Sequence, residues 1–453
     1  MNTLQEIFKF YLEKYVTNPL FQYHKELTPY HRALRAADLL STDFEKPLSF
    51  NELTSNEYLQ AHRVLLNIYE QDLVFLPRNN TNSWDMLSFK EFYHDDLKQA
   101  GEFIRPKLES YVFKFLNQEI EVEGVWDINK FEEYTSQVLN EIRTSESQLF
   151  HNITSSKNPQ RAARFFIAQC AGDFLTEASA MGRNVLGNFG QETSELFKIF
   201  IDEYGYGVHS KKHSTLFENM CDALNMSADI HTYWQYYLPS SLALINYFHY
   251  VSKNHAHFFK YIGALYFTEA ALAFTTVSQS AMMKSVFGDK FNTQYFDEHT
   301  HIDVHHGRMA LEKLIKPLVK KFGNQVISEM LLGFEQFRML QDLADEELFK
   351  HVIFHDQLDH IAPSSENGYK GMSKLNTFYE SKGLVSISHI HPVDEFFVVD
   401  KGTVELTFSP AVNLTLNEGE GIMLKKGILH GSKVLSTDAT YSVYMLTDEV
   451  VTQ

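Results

Sequence analysis

Cysteine is nearly absent from this 453-residue sequence. Only Cys170 and Cys221 occur, too few for a disulfide framework, a thiolate-rich metal site or an iron–sulfur cluster. Basic residues are scarce as well, with 40 Lys and Arg against 58 Asp and Glu, for a formal charge of −18. That deficit argues against a nucleic-acid partner and is compatible with a cationic small substrate. No apolar run approaches the roughly 18 residues of a membrane span, so no membrane association is expected. The N-terminus MNTLQEIFKFYLEKYV is a charged amphipathic pattern rather than a signal peptide. A cytoplasmic location follows by default. Long low-complexity tracts are missing too, and 44% hydrophobic with 14% aromatic residues describe a folded chain. What is plentiful is histidine, at 21 residues. Any bound metal must therefore be held by imidazole and carboxylate.

The length predicts roughly three domains, and the patterning predicts a multidomain α + β protein. Residues 1–125 read as amphipathic helices such as NEYLQAHRVLLNIYEQDLVFL, a helical packing or dimerisation domain that makes a homodimer the expected assembly. No chemical constellation is recognisable there. Residues 126–356 keep the helical period, but RAARFFIAQCAGDFLTEASAMG and HAHFFKYIGALYFTEAALAFTTV are apolar and rich in small residues, as helices buried in a bundle are. The segment HIAPSSENGYKG reads as a linker. From there to the end, residues 357–453, short strands alternate with turns as a small β-barrel requires.

Within the bundle, FDEHTHIDVHHGRMALEKL places His299, Asp303 and His306 at i, i+4 and i+7. Those positions share one helical face, so two imidazoles and a carboxylate can converge. His301 and His305 point elsewhere. Glu177 in FLTEASA and Glu269 in YFTEAALA each interrupt an otherwise apolar helix. A buried carboxylate needs a cation, a hydrogen-bond partner or a raised pKa. Glu203 and His213 lie ten residues apart, about 80° around an ideal straight helix. They can share a site only across a break, which Gly205 and Gly207 could provide.

This pattern resembles the haem-oxygenase-like di-iron oxidases. Their motif sets a Glu on one helix, a Glu and a later His on a second, a Glu on a third and His-x3-Asp-x2-His on a fourth. Glu177, Glu203, His213, Glu269, His299, Asp303 and His306 match in that order. The resemblance implies two Fe(II) ions, dioxygen as oxidant and an external reductant, and hard carboxylate–imidazole ligands suit Fe(II).

The C-terminal motif is denser: Gly383, His389-Ile390-His391, Glu395 and Gly402, followed by Gly419 and Gly427-Ile428-Leu429-His430. It resembles the two cupin motifs, departing from them where Lys425 replaces the usual proline. Alternate strand residues share a face, so His389 and His391 are expected inside the barrel. With His430 they would form a three-His Fe(II) site. Glu395 either completes that shell or stands behind it.

The order helical domain, di-iron bundle, cupin resembles the N-nitrosourea-forming metalloenzymes over essentially the whole length. That resemblance implies a non-haem iron oxygenase. The bundle would hydroxylate guanidine nitrogens of an Nω-methyl-L-arginine-type substrate, and the third iron, in the cupin, would rearrange the product to an N-nitrosourea. Two alternatives remain at this stage. One is an N-hydroxylase of another guanidine or amine that stops at the hydroxylated product. The other is a non-catalytic small-molecule sensor, against which the retention of both ligand sets argues.

Overall fold

The computed structural model describes residues 4–15, 20–21, 30, 32–78, 86–358 and 369–446. Residues 360–368 of the expected linker lie outside them. The chain divides into two compact units, each assembled from separated stretches. One takes Met1–Val112, His231–Leu242 and Lys350–Gln453, the other Phe113–Ile230 and Ala243–Phe349. The N-terminal stretch thus shares a unit with the C-terminal strands. Among the described residues no helix is long and apolar enough to cross a membrane.

The second unit is all helical. Its central element, the 30-residue helix Phe258–Phe287, is buried along most of its length, as its unbroken apolar sequence requires. It ends at Gly288, which takes φ +98°, a conformation that excludes an ordinary side chain at little cost only for glycine. Two glycines set its closest neighbours. A Cβ on Gly263 would lie 1.7 Å from the Met330 carbonyl oxygen of the helix Ile327–Leu358, and one on Gly307 would lie 3.0 Å from Ala270 Cα. The second contact holds the helix Gln294–Met309 close against the central one, with His306 and Glu269 as the adjacent residues. Beyond it the chain winds into a wider π-helical turn, Ala310–Ile315, a distortion common beside functional sites.

In the first unit, the helix Asn56–Glu70 is buried from Tyr58 to Glu70. The strands form two antiparallel sheets. One has the order Leu20–Phe21, Val385–His389, His430–Val434, Thr403–Ser409, Val412–Asn417; the other runs Met372–Ser381, Asp438–Leu446, Glu395–Lys401, Gly421–Leu424. Val399, Val404, Leu406, Phe408, Leu416, Ile422 and Val434 fill the core of this sandwich, and Phe354 and Leu358 join them. The expected barrel is thus realised as a cupin-type sandwich, with no closed ring of strands among the described residues. Burial alternates along Thr403–Ser409, where Val404, Leu406 and Phe408 turn inward, so that strand packs one face against the other sheet.

Candidate metal centres

The seven bundle residues picked out by sequence come together. Glu177, Glu203, His213 and His299 form one group and Glu203, Glu269, Asp303 and His306 another, each with its ligand atoms within 4.8 Å of one another. Glu203 belongs to both. His299, Asp303 and His306 project from one face of Gln294–Met309 and are buried, whereas His301 and His305 are exposed. Glu269 enters from the central helix.

Glu203 and His213 meet as the glycines predicted. The helix Gln191–Glu203 ends at Glu203, Gly205 and Gly207 take φ +58° and +78°, and a new helix starts at His213. A Cβ at Gly205 would sit 2.5 Å from the Lys212 backbone nitrogen, so the reversal needs glycine. Glu177 corrects one expectation, because it lies on a turn rather than within a continuous helix. The helix Pro159–Phe174 closes at Leu175. The Thr176 N–H donates back to the Asp173 carbonyl at 2.8 Å, and Ala178 takes φ +61°, which a right-handed helix cannot contain.

The donor atoms crowd together, several within hydrogen-bond distance of one another. His213 Nδ1 lies 2.6 Å from Glu203 Oε2, and His306 Nδ1 lies 3.1 Å from Glu269 Oε2 and 3.4 Å from Glu203 Oε1. Yet Glu177 Oε2 and both Asp303 oxygens are buried without a hydrogen-bond partner. Buried acceptors left in this way are costly. Cations are the partners this donor set fits, since its four carboxylates carry the charge that two divalent ions neutralise.

Titration reflects the same imbalance. Burial lifts the Glu269 carboxyl to about 7 and raises Asp303. Burial also opposes ionisation of Glu203, but the imidazoles of His213, His299 and His306 outweigh it and hold its pKa at about 2. His299 rises well above its ordinary value because Glu177, Asp303 and Glu203 overcome its burial. Without metal, the cluster must recruit protons to balance charge.

Two groups that the sequence reading did not identify hold the imidazoles in place. Asp202 Oδ2 lies 3.0 Å from His306 Nε2, which leaves Nδ1 to face the carboxylates. The Tyr295 carbonyl lies 2.8 Å from His299 Nδ1, and the Tyr295 hydroxyl donates to Glu177 Oε1 at 2.9 Å. Tyr295 could have been found, because it stands one helical turn before His299. Asp202 is hidden by its neighbour Glu203, since adjacent helical residues point about 100° apart. Partners behind metal-bound imidazoles set ring orientation and basicity. Asp202→Asn is therefore expected to weaken iron binding in the bundle by about ten- to a hundredfold with little change in fold. Iron titration of the apo-protein checks this, and an unchanged affinity would remove Asp202 from the site.

In the sandwich, His389, His391 and His430 form a third group, with ring centroids 4.7 to 5.1 Å apart. His389 and His430 are direct cross-strand partners. His391 falls just past the end of its strand and still converges. Each Nδ1 is occupied, that of His389 by the Ile387 carbonyl at 3.0 Å, that of His430 by the Ile428 carbonyl at 3.0 Å, and that of His391 by Glu395 Oε1 at 2.9 Å. Nε2 is thereby left for a shared ligand. Glu395 stands outside the three-His group, so the structure places it behind His391. Burial, with neighbouring Arg35, His430 and His391, keeps His389 well below its ordinary pKa, and burial with His391 takes His430 to about 3. Both rings are neutral, the form that binds metal.

Comparison with known proteins bears on both centres. A family model described as an iron-containing redox enzyme matches residues 164–338, the stretch that holds all seven bundle residues. Over 447 residues, 96% of this chain and 94% of the relative, the sequence is 39% identical to a nitrosourea synthase of Streptomyces achromogenes subsp. streptozoticus. A solved cupin-2 domain containing protein from Shewanella frigidimarina NCIMB 400 is 20% identical, covering 20% of this chain and 91% of that one with a TM-score of 0.15, a likeness too slight to carry weight.

Proposed function

This chain belongs to the nitrosourea synthase family and is an iron oxidoreductase, and from that premise we propose that it makes an N-nitrosourea from an arginine derivative in two oxidative stages. In the first, the bundle hydroxylates guanidine nitrogens of an Nω-methyl-L-arginine-type substrate. In the second, the cupin oxidatively rearranges the hydroxylated guanidine with dioxygen as the oxidant, one oxygen atom entering the product and the other leaving as water. Two irons would be held by Glu177, Glu203, His213, Glu269, His299, Asp303 and His306, and a third by His389, His391 and His430. The observation that carries the reading is that Glu203 belongs to both bundle groups, as a carboxylate between two metals must.

When bound, iron supplies the oxygen activation and one-electron steps that no side chain can perform. Each hydroxylation places one oxygen atom of dioxygen on nitrogen. The other leaves as water, with two electrons and two protons from an external reductant and solvent. The chain's own residues prepare this. Glu203 offers one oxygen to each side, Asp202 and the Tyr295 carbonyl hold the rings of His306 and His299, and burial keeps bulk water from the donors. In the sandwich, two backbone carbonyls and Glu395 fix the three imidazoles, and the lack of charge on His389 and His430 leaves their lone pairs free.

Two measurements test the assignment together. After anaerobic reconstitution the protein should retain about three Fe(II) per chain, the number its His and carboxylate donor sets fit. With oxygen and a reductant it should then convert a methylated arginine to a nitrosourea, read by mass spectrometry across a panel of arginine derivatives. Failure to retain iron, or turnover of none of the panel, would overturn it.

A further inference from the structure

The strand Val385–His389 pairs with His430–Val434 in two registers. Ser386 faces Ser432, but His389 faces His430, so the register shifts between them. The shift is a β-bulge immediately before a candidate metal ligand, and ladder hydrogen bonds lapse at a bulge. Ser388 lies inside it and is buried, so its peptide groups need other partners.

Those partners come from stretches of chain far from the cupin motifs. The Ser388 N–H donates to Gln235 Oε1 at 2.9 Å, and the Ser388 carbonyl accepts from one Arg63 terminal nitrogen at 2.8 Å. The hydroxyl accepts from the other terminal nitrogen at 2.7 Å and donates to Gln235 Oε1 at 3.0 Å. The same Arg63 nitrogen reaches the Trp234 carbonyl at 3.5 Å, which ties the guanidinium to the turn bearing Gln235. Meanwhile the Ile387 carbonyl, also within the bulge, receives His389 Nδ1.

Arg63 is an expensive way to fill these acceptors. It is fully buried in the helix Asn56–Glu70, its Nε has no hydrogen-bond partner, and it forms no ion pair among the described residues. Burial, with the nearby charge of Arg35, pushes its pKa down to about 9. A buried cation without a carboxylate is disfavoured on stability grounds. A planar fork that meets two acceptors of one residue at once is, however, suited to fixing position.

We infer that Arg63 and Gln235 form a clamp on Ser388 that holds the bulge and so aims the His389 imidazole at the cupin metal. They are positioning residues of the cupin centre, supplied by the N-terminal helix and the Trp234–Tyr236 turn. The inference rests on the reading of His389, His391 and His430 as an iron site.

The test uses full-length protein with Arg63→Met, Arg63→Lys and Ser388→Ala. In the metal-free protein, hydrogen exchange at the Ser388 amide should quicken at least about tenfold in Arg63→Met, as expected when a local structural unit loosens. Cupin iron, measured by chelator competition, should bind about ten- to a hundredfold more weakly, and the electron paramagnetic resonance signal of its nitrosyl adduct should change. Bundle iron should stay at the parent level. Arg63→Lys keeps the charge but reaches one acceptor, so it should fall between parent and Arg63→Met. Ser388→Ala removes one acceptor of the buried cation but leaves it the Ser388 and Trp234 carbonyls, and serves if Arg63→Met does not fold. Folded variants with parent-like cupin affinity and nitrosyl signal would overturn the clamp alone. A parent protein that takes up no iron at the three histidines would overturn the metal reading and the clamp's role with it.

Discussion

Glu203→Ala is expected to abolish guanidine hydroxylation and empty the bundle of iron, while the cupin goes on converting a supplied hydroxylated intermediate. The reason lies in connectivity. Glu177 and Glu269 each belong to one group, so losing either strips one side, but Glu203 is common to both. Removing it takes away the carboxylate next to His213, His299 and His306 together. Those three imidazoles, one of them only 3.1 Å from another, would lose the one carboxylate they share, although Glu177, Asp202, Glu269 and Asp303 stay beside His299 and His306. The loss should exceed the roughly hundredfold ceiling of a change behind the ligands, which makes the comparison with Asp202→Asn informative. Single-turnover assays with an arginine derivative, read by mass spectrometry alongside iron content, check the point. Hydroxylation at the parent rate in Glu203→Ala would falsify the assignment of the bundle.

The parts of the site that could be read from sequence are those where spacing alone fixes direction. His299, Asp303 and His306 share a face because helical periodicity says so, and His389 and His430 sit at fixed offsets from turn glycines. Gly205 and Gly207 announced a break, and the break brings Glu203 to His213. Glu177 was found for the right reason, an acid among apolar neighbours, but on the wrong element. A turn at Ala178 has no signature when alanine is a strong helix former. Asp202 acts on His306 through one hydrogen bond and Tyr295 on His299 and Glu177 through two, and a single acid or phenol in a helix is chemically ordinary until its partner is known. Arg63 lay in the stretch where no chemistry was recognisable. Its role depends on meeting Ser388 across 325 residues, a contact set by the fold of a whole unit that no local pattern encodes.

His430→Ala and His389→Ala are expected to leave hydroxylation intact and to accumulate the hydroxylated amino acid, with no nitrosourea formed. Each change removes one of three imidazoles, and the two rings face one another across adjacent strands, so either loss opens the group on the side shared by both strands. Glu395 keeps Oε1 on His391 Nδ1 and stands outside the three-His group. The backbone consequence is small: the Ile387 and Ile428 carbonyls lose one imidazole donor each, roughly the 1 kcal/mol of a single net hydrogen bond. A folded protein with a selective block is therefore the outcome to look for. Mixing His430→Ala with Glu203→Ala supplies the separation, since each carries the centre that the other lacks. Restored nitrosourea in the mixture, absent from either variant alone, would mean that the intermediate leaves one chain and is finished by another. Nitrosourea from His430→Ala alone at the parent rate would place the second stage somewhere other than the three histidines.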